Sequence, residues 1–199
     1  MVKILKPFDL AKYPNQNERG EWATYINGDF DGYAPMAMFQ GCKVPVILKP
    51  ILEEMVADAA ADGVTLTVAK GFVTLQDQID IRRYYLKPED KALRYNDLEW
   101  LLSAAVNAFR VLVGYPGSSN HQNIKRPAID FNVTQTDKFG KRIGNLPSYK
   151  WLVENAHKYG FVRTVESERW HWEYMPWITD MFFKVGKSHP TWDGLIKNI

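Results

Sequence analysis

The chain has 199 residues, which fits one domain with a single core, since domains commonly run to about 100 to 200 residues. A hydrophobic fraction of 46% excludes disorder as the whole answer, and 25 basic against 23 acidic residues fall far short of the positive field of a dedicated nucleic-acid binder. A single cysteine, Cys42, excludes an internal disulfide and a cysteine-based zinc knuckle, so any metal must be held by carboxylates and the four histidines.

Residues 1–43 are rich in Tyr, Gly, Asp, Phe and Trp without a clear period, and are expected to form an irregular or short-stranded N-terminal extension packed on the domain. The first ten residues carry no apolar stretch of signal-peptide length, and no segment approaches the roughly 18 apolar residues of a membrane span. The expectation is a soluble protein made in the cytoplasm, delivered to any wall substrate by something other than its own N-terminus. From Pro50 the pattern sharpens: Ile51, Leu52, Met55, Val56 and Ala59 recur at three-to-four spacing and end at Asp62-Gly63, predicting an amphipathic helix with a glycine stop. Val64, Leu66 and Val68 then alternate with Thr65 and Thr67, the period of a half-buried strand.

A short helix is expected between Gly71 and Tyr85. A second starts at Asn96, where Glu99 completes a capping-box-like pair and Leu98, Leu101, Leu102, Ala105 and Phe109 form a buried stripe. Turn chemistry from Tyr115 to Ser119 precedes an alternating stretch, residues 128–133, whose Ile129, Phe131 and Val133 enter the core and leave Asp130 toward a polar site. Pro147 and Ser148 open a helix through Tyr159 with Gly160 as its stop. Residues 161–165 and 170–174 are expected to be two strands of a hairpin, and the apolar tail 176–199 to pack on the domain. The sum is an α+β fold: residues 44–175 as one domain, with a small antiparallel sheet carrying the polar site and helices packed on one side.

A hydrolytic zinc site needs three protein ligands, an open position for water, and a carboxylate near that water. His121 follows the tight turn, Asp130 lies on a polar strand face, and His171 sits on a later strand three residues after Glu168. Positions three apart on an extended strand face opposite ways, so Glu168 joins the site only from a bend entering the strand. Strand parity puts Glu173 beside His171, as a rival for either acid role. Taken alone, His121 and Asp130 read as ordinary hydrogen-bonding residues, and His157 and His189 as solvated or packing ones.

Ser119-Asn120-His121 through Ala128-Ile129-Asp130, followed by Glu168-Arg169-Trp170-His171, resembles the signature of the VanY-type D-Ala-D-Ala carboxypeptidases. These group with phage L-alanyl-D-glutamate endopeptidases and the hedgehog signalling domain as LAS zinc proteins. The resemblance spans residues 44–175 and includes the helix ending in Ala-Asp-Gly-Val, the segment from Gly71-Phe72 to Gln78, and Trp151-Leu152-Val153-Glu154-Asn155-Ala156 before Tyr159-Gly160-Phe161. It implies a zinc ion held by His121, Asp130 and His171, with Glu168 as catalytic acid and base, Ser119 and Gln78 bordering the substrate, and peptidoglycan stem peptides as that substrate.

Two departures stand out. The run between His121 and Asp130 is two residues longer than the family's and lacks its glycine, and Val73 occupies a position where the family commonly has a substrate-binding arginine. A nearby cation is expected to substitute: Arg126 or Lys125 in the basic insertion, or Lys70 or Arg82. The function implied is a monomeric, phage-type endolysin cutting L-Ala-D-Glu or a carboxypeptidase trimming D-Ala-D-Ala. The alternatives are a non-catalytic zinc-binding interaction domain, which the loss of arginine at Val73 favours, and a zinc D,D-dipeptidase.

Overall fold

The computed structural model describes residues 14–84, 116–136, 138, 142–165 and 167–179. These fall into two compact units, one from residues up to Pro35 together with Val73–Ile124, the other from Met36–Phe72 with the chain from Lys125 onward. The expected helix from Asn96 and the tail beyond Thr179, with His189, lie outside the described residues.

The first unit opens with an antiparallel hairpin of β1 (Trp22–Ile26) and β2 (Asp29–Ala34). Its two-residue loop is Asn27-Gly28, both with positive φ, the turn whose twist matches that of paired strands. Ala23 and Tyr25 pack with Leu75 and Ile79 of helix α2 (Leu75–Tyr84) to form a small core. A reciprocal cap starts α2: Thr74 N donates to Asp77 Oδ2 at 2.9 Å, and Asp77 N to Thr74 Oγ1 at 3.0 Å. This satisfies two amides that the first helical turn would leave unbonded.

The second unit begins with a hairpin of β3 (Met36–Phe39) and β4 (Cys42–Pro45), turned at Gln40-Gly41, and continues into α1 (Leu48–Ala61). Helix α1 starts two residues before Pro50. A proline in the first turn costs nothing there, because its missing N–H would have had no intrahelical partner. Leu48, Leu52, Met55 and Ala59 are fully buried, and each of the three larger side chains contributes about 1.5–3 kcal/mol by leaving water.

A four-stranded antiparallel sheet in the order β5-β6-β10-β9 carries the rest: β5 (Val68–Lys70), β6 (Ala128–Phe131), β9 (Phe161–Val162) and β10 (His171–Tyr174). The expected α+β class is thus observed, with β9 and β10 paired as foreseen. The predicted strand over 64–68 starts only at Val68. The Gln40 side chain takes up Leu66 O and Val68 N at 3.3 and 2.7 Å, so this backbone is satisfied without a neighbouring strand. A polar hairpin, β7 (Thr134–Thr136) with β8 (Arg142–Asn145), follows β6.

Helix α3 (Pro147–Asn155) passes into a 3-10 turn, Ala156–Tyr159, which ends at Gly160 in the left-handed region at φ 81°. A Cβ at Gly160 would stand 2.8 Å from the Tyr174 ring, so both conformation and packing demand glycine. Gly71 is required by proximity instead, since a Cβ there would lie 2.1 Å from Lys43 O. Trp151 Nε1 donates to Asp62 Oδ2 at 2.8 Å, tying α3 to the end of α1. Ile129, Phe131, Trp151, Leu152, Phe161 and Trp172 join the α1 residues in the main core.

Candidate metal centre

In the second unit, β6 and β10 pair so that His171 stands opposite Asp130, Trp172 opposite Ile129 and Glu173 opposite Ala128. Directly opposed residues of an antiparallel pair share a face. Trp172 and Ile129 therefore enter the core while Asp130, His171 and Glu173 line the other face, the parity expected from the alternation in 128–133. All three polar side chains are buried.

The two ring nitrogens of His171 have different neighbours. Nδ1 lies 3.1 Å from Asp130 Oδ1 and 3.9 Å from Glu168 Oε2, whereas Nε2 lies 3.3 Å from Glu173 Oε1. Glu168 reaches the face from a bend, as required: its amide donates to Val165 O, and its carbonyl accepts from His171 N, each at 3.1 Å. Glu173 is further held by Thr164 Oγ1, which donates to Oε1 at 2.5 Å, and by Arg126, whose Nε lies 2.7 Å from Oε2. Glu173 is thereby occupied structurally, and Glu168 is the second carboxylate beside Nδ1, after Asp130.

Without a metal, the electrostatics favour a protonated ring. Burial alone would lower the His171 pKa, but hydrogen bonds to Asp130 and Glu173 outweigh it and raise the value to about 9. Burial likewise works to raise the Glu173 pKa, and is overcome by the hydrogen bonds from His171 and Thr164 and by the charge of Arg126, which hold it below the ordinary range. Lys70 Nζ stands 3.7 Å from Asp130 Oδ2.

His121, Ser119, Gln78 and Arg82 lie in the first unit. His121 is buried in a one-turn 3-10 helix, Asn120–Gln122. Ser119 caps it, its hydroxyl accepting from His121 N at 3.3 Å, and the His121 carbonyl accepts from Val73 N at 3.1 Å. Buried Gln122 accepts from Gly117 N at 2.7 Å through Oε1. Gln78 and Arg82 are buried on α2. Of the cations expected to replace the family arginine, Arg126 is engaged by Glu173, Lys70 lies beside Asp130 and Lys125 is exposed. Sequence reasoning assigned no role to Thr164, and no local signal marks it, because its contact is made across the β9–β10 turn.

Residues 43–177 match the family model VanY, D-alanyl-D-alanine carboxypeptidase. A D-alanyl-D-alanine carboxypeptidase of Enterococcus faecalis is 28% identical over 183 residues, covering 83% of this chain and 63% of that relative, so the chain spans less than two thirds of the relative's length. Two solved structures resemble it at a TM-score of 0.57. One is a mutant of the vancomycin-resistance D,D-pentapeptidase VanY from a VanB-type cassette, in complex with Zn(II), at 23% identity over 82% of this chain and 90% of the other. The second is VanYB in complex with D-alanine-D-alanine, at 22% identity over 87% and 92%. An LD-carboxypeptidase, LdcB, follows at a TM-score of 0.52 and 18% identity, over 83% and 72%. At these identities the structures show a shared fold.

Proposed function

The chain belongs to the VanY family of D-alanyl-D-alanine carboxypeptidases, and from that premise we propose that it is a zinc peptidase that removes the terminal D-Ala from peptidoglycan stem peptides, with His121, Asp130 and His171 as the metal ligands. The observation that carries this reading is the face shared by Asp130, His171 Nδ1 and Glu168, an arrangement suited to a metal with a carboxylate beside it. Each of the three proposed ligands is buried in its own unit. Two imidazoles and one carboxylate are a donor set that zinc accepts while keeping a fourth position open.

Bound zinc supplies Lewis acidity toward the scissile carbonyl and makes water acidic enough to be a nucleophile near neutral pH. Glu168 Oε2 takes a proton from the attacking water as the oxygen bonds to the carbonyl carbon. It returns that proton to the amine nitrogen as the C–N bond breaks. Glu168 is held in place by its backbone bonds to Val165 and His171. Ser119 and Gln78 are proposed to border the substrate, the former while also capping the His121 turn.

Support for the D,D bond comes from the family description and from the relative captured with D-alanine-D-alanine. The lytic, L-Ala-D-Glu-cutting variant remains a proposal of the same site. Zinc-loaded protein incubated with stem peptides ending in D-Ala-D-Ala should release one D-Ala by mass spectrometry, and Glu168→Ala should lower the rate by about 10³-fold or more while still binding zinc. Cleavage between L-Ala and D-Glu would assign the endopeptidase. No fragment from zinc-loaded wild type would favour the non-catalytic reading, which Val73 in place of the family arginine supports.

A further inference from the structure

Glu173 has no part in the chemistry above, yet it is the most deeply buried carboxylate of the sheet, with its side chain 1% exposed. Such a group is costly unless its charge and lone pairs are met. Here three elements answer its charge: β10 itself through His171 and the segment after β9 through Thr164, both at Oε1, and the loop before β6 through the Arg126 guanidinium beside Oε2.

A neutral imidazole carries one N–H, and a carboxylate only accepts. Asp130 at Nδ1 and Glu173 at Nε2 both compete for that one proton; once Asp130 and Nδ1 are both given to an ion, it must sit on Nε2, against Glu173. We propose that Glu173 is a positioning residue for the metal centre, holding His171 in the tautomer that offers Nδ1 to the ion, and that Arg126 serves to balance the Glu173 charge rather than to bind substrate. Arg126 is carried by the insertion between the two ligand motifs, so the extra length and Glu173 belong to one device. This inference rests on the zinc reading given above.

Carboxylate partners of ligating imidazoles make them stronger donors, and their loss typically weakens metal affinity by about 10- to 100-fold. Zinc dissociation constants, measured by competition with a chelating dye, should rise about 10-fold in Glu173→Gln, whose amide oxygen still accepts from Nε2, and toward about 100-fold in Glu173→Leu. Nitrogen NMR of the His171 ring in the zinc-bound protein should show the Nε2–H tautomer in wild type and in Glu173→Gln. Arg126→Met should lower the urea midpoint of the zinc-free protein, and adding Glu173→Gln should restore it, because no uncompensated charge remains.

A purely structural Glu173 would move the urea midpoint while leaving zinc affinity within about twofold of wild type, and that result overturns the proposal. Should Glu173→Leu fail to fold, Glu173→Gln decides alone. If wild type binds no zinc, the metal reading fails by itself. Crystal structures of zinc-free wild type and Glu173→Leu then decide this inference: a displaced His171 ring supports it and an unmoved ring overturns it.

Discussion

The β6–β10 pair and the turn around His121 present their proposed ligands by different physical means. Asp130 and His171 sit opposite each other on a hydrogen-bonded ladder whose reverse face is filled by Ile129 and Trp172. His121 sits on a single 3-10 turn, held by a serine hydroxyl, the Gln122 side chain and one amide from Val73. A ladder backed by a core cannot shift one ligand without disturbing the whole strand. A turn held by side-chain caps can be loosened one bond at a time.

The sharpest way to break this contrast is Trp172→Ala. It empties the core directly behind the ligand strand, and should cost about 3–5 kcal/mol in urea unfolding. A loss under about 1 kcal/mol would mean that the ladder does not depend on that packing.

The pH dependence of stability sharpens the strand side next. In zinc-free protein the folded His171 pKa of about 9 exceeds the unfolded value of 6.5, so the folded state binds the proton more tightly. That stabilisation, at most about 3 kcal/mol, is complete below pH 6.5 and lost as pH rises through 9. Urea midpoints of zinc-free protein should fall across that window, and those of His171→Asn should not follow. The smallest expected effect is on the turn: Ser119→Ala removes the cap on His121 and should cost about 1 kcal/mol, seen as a small drop in melting temperature with the sheet unaffected. A cost equal to that of Trp172→Ala would erase the distinction between the two regions.

Much of the strand side was legible beforehand. The alternation of residues 128–133 separates Ile129 and Phe131 from Asp130, and the spacing of Glu168 to His171 already required the bend that the Val165 and Glu168 backbone bonds supply. Helix ends at Gly63 and Gly160 were likewise foreseen. The N-terminal segment was foreseen only as irregular or short-stranded, without its hairpin pairing, although Asn27-Gly28 is a strong turn signal, because its aromatic-rich strands lack clean alternation. The β7–β8 hairpin escaped notice because its exposed polar residues carry no hydrophobic period. The 64–67 segment looked like a strand because Leu66 and Val68 are buried, but the Gln40 amide took the bonds that a neighbouring strand would have made.

The sequence by itself determined which residues belong to the polar face and which glycines stop the helices, since both follow from local period and backbone conformation. Only the tertiary structure decided that Asp130 and Glu173 take opposite nitrogens of the His171 ring, and that Arg126 answers Glu173. The reason is that Asp130 and His171 lie 41 residues apart. Register between such distant segments is set by long-range packing, and no local pattern contains it.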